Sequence, residues 1–189
     1  MSPVFFAPLG QYHAARVIQS YRAKPMQHVS SLGGPRVLLP TQDVPRWIGE
    51  LGNEPTPDAG LYALACSVDD YCGIIQPWGT PIIVFGDDPS DMYWSPDKDG
   101  GLFVRWVGAG SLEQLIAFAK AVSEMDDWAE RIEWDAQSTD YTLMDTCTFV
   151  GDTAPRVAIT LPSGRCIIKS KYAESDSVMT IVQRLEYAR

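Results

Sequence analysis

The stretch from Cys72 to Trp106 constrains the fold more than any other part of the chain. It consists of apolar runs cut by turn residues: Gly73-Ile74-Ile75, then Pro77-Trp78-Gly79, then Pro81-Ile82-Ile83-Val84-Phe85-Gly86. After the acidic segment Asp87-Asp88-Pro89-Ser90-Asp91 and the pair Gly100-Gly101, a third run follows as Leu102-Phe103-Val104-Arg105-Trp106-Val107. Runs this short, rich in β-branched and aromatic residues and bounded by Gly, Pro and Asp, have the pattern of strands. The expectation is a three-stranded meander at the centre of a sheet.

Around that centre the pattern predicts further elements. Gln11 to Ala23 has apolar residues near helical spacing and is stopped by Pro25. Arg36-Val37-Leu38-Leu39 follows a Gly-Gly-Pro turn and is expected to be a strand. Thr41 is placed to cap a short helix over Asp43 to Leu51, with Pro45 in its first turn and Trp47 and Ile48 on its buried side. Leu61 to Cys66 stays open between a helical turn and the approach to a strand, and Ser67 to Ile75 is expected to be extended. Ser111-Leu112-Glu113-Gln114 has the form of a capping box and starts a helix to about Met125. Trp128 to Trp134 alternates, as a strand does or as a helix end followed by an edge strand, and Thr142 to Val150 is a strand candidate. Arg156 to Leu161 and Arg165 to Ser170 flank Pro162-Ser163-Gly164 as a hairpin would. Val178, Ile181, Val182 and Leu185 form a stripe that predicts a last helix from about Asp176 to Tyr187.

These elements give an α+β fold: a mostly antiparallel β-sheet with the Ser111 and Asp176 helices packed on it. The 189 residues suit a single domain. It is expected over residues 30–189, preceded by an extension over 1–29 that carries the short helix.

Charge is unevenly placed. Residues 58–152 carry 4 basic and 18 acidic groups, within a chain of net charge −9. Such a section repels nucleic acid and anionic lipid and attracts a basic protein over long range, besides aiding solubility. The first residues lack the basic start and apolar core of a signal peptide, and no window is long enough for a membrane span, so the expected location is the cytoplasm. Cys66, Cys72, Cys147 and Cys166 are then expected as reduced thiols in the core. No two of them have C-x-x-C spacing and neither His13 nor His28 lies near them in sequence, so no metal and no cofactor is assigned.

Catalysis has little to draw on. Asp69-Asp70, Asp87-Asp88 and Asp126-Asp127 are the acidic pairs, and gathered carboxylates can hold Mg²⁺. Adjacent residues on a strand, however, point to opposite faces, so the ordinary alternative is solvated loop carboxylates or partner contacts. The glycine pairs lack the spacing of phosphate loops. Of the six tryptophans, the ordinary reading is packing; the sharper one makes Trp78 and Trp94, each beside turn residues, exposed anchors of an interface.

Several short motifs, in order, carry a resemblance. Gly33-Gly34-Pro35 leads into Val37-Leu38-Leu39-Pro40. Trp47 is followed by Gly49, Tyr62 by Ala65-Cys66. Then come Gly86-Asp87-Asp88-Pro89, Arg105-Trp106 and Leu161-Pro162-Ser163-Gly164. From about Ser30 to Leu185 the chain resembles immunity protein 21, a family of bacterial polymorphic-toxin immunity proteins. The resemblance implies a small α+β protein, not an enzyme, that neutralises a cognate toxin domain by binding it. That partner is expected to be a basic protein, held by Asp87, Asp88, Asp91, Trp94 and Trp78. The readings from other classes are a small hydrolase built on the Asp clusters and a regulatory protein-binding domain with no toxin partner.

Overall fold

The structure, a computed structural model, describes residues 26–49, 60–86, 90–148 and 151–187. Its strands are β1 (Gln27–Val29), β2 (Arg36–Pro40), β3 (Gly73–Ile75), β4 (Ile82–Phe85), β5 (Met92–Asp97), β6 (Gly100–Ala109), β7 (Glu130–Ala136), β8 (Asp140–Asp145), β9 (Val157–Thr160), β10 (Gly164–Glu174) and β11 (Val178–Tyr187). A 3-10 helix covers Thr41–Arg46, and two α-helices cover Leu61–Cys66 (α1) and Leu112–Ser123 (α2). The strands form two sheets, one in the order β1-β5-β6-β11-β10-β7 and the other β3-β4-β2-β8-β9. Every pairing is antiparallel.

The sheets face each other across one apolar layer, to which Leu38, Ile83, Phe85, Tyr141 and Leu143 come from one sheet and Trp94, Phe103, Trp134, Ile168 and Leu185 from the other. Alternate residues supply the outer faces, as the two-residue period of a strand requires. Val37, Leu39, Ile82 and Val84 pack under the 3-10 helix and α1, with Val44, Trp47, Leu61 and Ala65. Leu102, Val104, Val178 and Val182 pack under α2, with Leu115, Ile116 and Ala119. The result is four layers: short helices, sheet, sheet, helix.

The capping box is where the sequence places it. Ser111 is the N-cap of α2, and its Oγ accepts from Gln114 N at 3.2 Å. The first strand matches β2, and Leu61–Cys66 resolves as helix. The segment after Thr41 is a 3-10 helix with no side-chain cap, although Trp47 is fully buried as expected. The expected helix over Gln11 to Ala23 lies outside the described residues.

The expected meander is split. Gly73–Ile75 and Ile82–Phe85 pair in one sheet, whereas Leu102–Trp106 belongs to the other. Between them is a strand the sequence hid, β5, because Pro96 and Asp97 read as turn residues. Proline is tolerated there: β1 pairs only with Met92–Trp94, so Pro96 has no ladder partner on that side and no missing N–H to compensate.

The Pro162-Ser163-Gly164 segment is a corner, not a hairpin. β9 pairs with β8 while β10 pairs with β7 and β11, so the chain changes sheets there. Leu161 N donates to Thr139 O at 2.9 Å, tying this corner to the β7–β8 corner. Val157, Ile159 and Leu161 then face Cys166 and Ile168 from the opposite side of the same core.

The expected last helix is strand β11, the centre of its sheet between β6 and β10. Its stripe separates onto two faces, Val178 and Val182 toward α2 and Leu185 toward the other sheet. Fold class is corrected accordingly: a mostly antiparallel β protein in two sheets, with α2 as the one long helix on it among the described residues.

Candidate partner-binding surface

At the end of the sandwich where β2 begins and β4 and β8 finish, buried charges organise the backbone. Arg36 and Asp145 stand opposite each other in register on the inner face, both fully buried. Asp145 accepts from Leu32 N at 2.9 Å and Cys147 N at 2.8 Å, while Arg36 Nη1 donates to Gly34 O at 3.0 Å. A buried charge is stable only when paired and hydrogen-bonded, so these loops are held by the cost of releasing them.

The same network gathers motifs far apart in sequence. Thr146 N donates to Pro35 O at 3.0 Å, and Trp47 Nε1 donates to Thr146 O at 2.9 Å. A Cβ on Gly34 would stand 2.2 Å from Thr146 Oγ1, so the Gly-Gly-Pro turn passes where no side chain fits. Tyr62 and Cys66, four apart on one face of α1, meet Cys147. The hydrogen bond of the Tyr62 hydroxyl to Cys66, with Cys147 beside it, pushes the phenol pKa far up. Two of the four thiols thus lie outside the core: Cys66 is exposed and Cys147 half-buried, whereas Cys72 and Cys166 are buried as expected. The reason is local, since only Leu61 and Ala65 of α1 face the sheet.

The acidic segment leaves this end. Arg105, fully buried, donates through Nη1 to Gly86 O and so fixes where the segment starts. Asp91 fixes where it ends: its Oδ1 accepts from Ser31 N at 2.8 Å and its carbonyl from Trp106 N at 2.9 Å. Asp87 and Asp88 lie outside the described residues.

The expected site residues that are described, Trp78, Asp91 and Trp94, have different surroundings. Trp78 lies in the turn that enters β4, Asp91 in the loop that leaves it. Trp78 is half-buried against the outer apolar cluster, with the Arg46 guanidinium 4.0 Å above its ring. Trp94 is not exposed. It is 6% accessible, in the inter-sheet core, with its ring centroid 4.5 Å from that of Phe103. Its placement beside turn residues suggested a tip, but it belongs to β5, and even positions of β5 point inward. Gly101 accommodates it, since a Cβ there would stand 2.4 Å from Trp94 Cη2. All six tryptophans pack in or against apolar clusters, the ordinary reading.

Among the described residues no group of three His, Cys, Asp or Glu side chains could hold a metal ion, and no helix is long and apolar enough to cross a membrane. His28 stacks on Tyr93, ring centroids 5.2 Å apart. The described backbone is anchored at Gly86 and at Asp91, on either side of residues 87–89, and in the sequence the stretch from Trp47 to Asp97 has nine Asp and Glu residues and no Lys, Arg or His.

Neither the curated proteins nor the solved structures contain a match to the chain. The model of the immunity protein 21 family matches residues 27–178, from the first residue of β1 to the first of β11, and the chain belongs to that family.

Proposed function

We propose that this protein is the immunity partner of a bacterial toxin domain, which it neutralises by binding and without chemistry of its own. Membership of the immunity protein 21 family carries the reading. The charge distribution supports a basic toxin: an acidic flank raises the association rate of a positively charged protein. The residues on either side of the acidic segment support this reading, because Gly86 O accepts from Arg105 and Asp91 Oδ1 from Ser31 N. Asp87, Asp88 and Asp91 are the steering charges, and Trp78 is an apolar contact at the far end of β4. Trp94 acts from beneath, keeping β5 in place.

The test is co-expression with the toxin domain encoded beside the immunity gene. The expected result is rescue from killing together with a 1:1 complex of the purified proteins. Growth arrest despite full expression of this chain would overturn the reading. Replacing Asp87, Asp88 and Asp91 by Asn should slow association and flatten its salt dependence while leaving dissociation nearly unchanged.

A further inference from the structure

We infer that the toxin docks on the projecting tip of the β10–β11 ribbon together with the 68–72 loop, and that Tyr172 and Met179 are its apolar anchors. This rests on the toxin-binding reading above and names the surface. The register sets out the geometry in rows across the inner face of the sheet. Gln183, Ser170 and Glu130 lie side by side on β11, β10 and β7. Glu130 and Gln183 hold the loop: Glu130 Oε1 accepts from Tyr71 N at 3.0 Å, Glu130 Oε2 from Cys72 N at 3.1 Å, and Gln183 Nε2 donates to Tyr71 O at 3.4 Å. Here the inter-sheet layer closes. The next two rows, Tyr172 opposite Ile181 and Glu174 opposite Met179, lie beyond it on the same face.

Tyr172 and Met179 are diagonal neighbours there, 39% and 43% accessible. Large apolar side chains left open on the continuation of a core-facing surface are a recognised mark of an interaction site. Both are held in place. Tyr172 donates its hydroxyl to Glu174 Oε2 at 2.9 Å, and Met179 lies over Gly108, its methyl 2.8 Å from where a Cβ would stand. An aromatic ring and a thioether already oriented lose little entropy on being covered.

Charge identifies the occupant. The exposed acids Asp69 and Asp70 lie in the loop and Glu174 and Asp176 at the ribbon tip, while the sequence has no basic residue from Tyr172 to Gln183 or from Trp47 to Asp97. The backbone of Val68 and Asp70 packs against Gly86, whose Cβ would stand 2.5 Å from either carbonyl, so the surface adjoins the start of the Asp87–Asp91 loop. An apolar centre with an acidic rim fits a protein whose contact face has a hydrophobic residue ringed by Lys and Arg.

The decisive experiment measures affinity and dissociation rate for the toxin domain encoded beside the gene, using the full chain and two sets of single variants. Tyr172→Ala and Met179→Ala are each expected to weaken binding at least tenfold, mainly through faster dissociation. Leu64→Ala and Met125→Ala, which truncate comparably exposed side chains elsewhere, are expected to stay within twofold of the parent. Circular dichroism and urea unfolding confirm that all four variants are folded. Parent-like affinity of Tyr172→Ala and Met179→Ala, with the parent chain binding and protecting, would overturn the docking surface and leave the toxin-binding reading standing. Failure of the parent chain to bind would instead remove that reading, and this one with it.

Discussion

Trp47 donates its indole N–H to the carbonyl of Thr146, 2.9 Å away and 99 positions on in sequence, while Gly34 approaches Thr146 from the other side with no room for a Cβ. One residue of the loop after β8 thus clamps the turn before β2 and the segment after the 3-10 helix. Replacing Trp47 by Phe keeps most of the ring volume but strands a buried carbonyl. The expected loss is about 1–3 kcal/mol, read from the shift in urea midpoint. Gly34→Ala should also destabilise, because the short, buried Thr146 side chain must move to admit its methyl, with the Asp145 and Cys147 side chains close beside it.

Trp94 provides a second test, because its burial changes what its removal does. Trp94→Ala empties a volume between the sheets beside Phe103 and Gly101, and the expected cost is about 3–5 kcal/mol of stability. Chemical denaturation should show the loss in the absence of any partner. Unchanged stability would mean that the indole is not part of the core.

The last strand gives a sharper contrast. β11 pairs along its length with both β6 and β10, so ending the chain after Asp176 removes the middle of a six-stranded sheet. The truncated protein is expected to show no cooperative unfolding transition. Val182→Pro, which deletes one ladder N–H and fits no central strand, should have nearly the same effect.

Acid stability should report the Lys171–Asp127 ion pair. Lys171 is almost fully buried, over the ring of Trp128 at 4.6 Å, and also donates to Met125 O at 3.1 Å. Its hydrogen bond holds the Asp127 carboxyl below the ordinary value of 3.8. A depressed carboxyl stabilises the folded state above its unfolded value and ceases to do so as pH falls through the folded one. Urea midpoints of the parent and of Asp127→Asn should therefore differ near neutrality and converge as pH falls below 3.8. A gap that persists to the lowest pH would show that the carboxylate charge is not what Lys171 requires.

The sequence by itself determined what depends on neighbours close along the chain. The Ser111 cap and the stripe of α2 are satisfied within four residues, and β2 and β4 are recognisable as short apolar runs ended by Pro and Gly. The motifs that led to the family were legible too, although only the fold shows that Gly34, Trp47, Gly86 and Arg105 hold one end of the sandwich. What the tertiary structure alone decided is partnership. Val178, Ile181, Val182 and Leu185 fit a helical stripe, yet β6 and β10 offer both edges of a ladder, and α2 and the second sheet bury both faces. The same spacing then serves a strand covered on two sides, with Thr180 and Gln183 carried inside it. Pro162-Ser163-Gly164 obeys the same logic, because a turn states that the chain reverses but not which sheet receives it. Strand pairing and side-chain exposure are set by residues scores of positions away, so neither Trp94 in the core nor Tyr172 and Met179 beyond it was legible from local pattern.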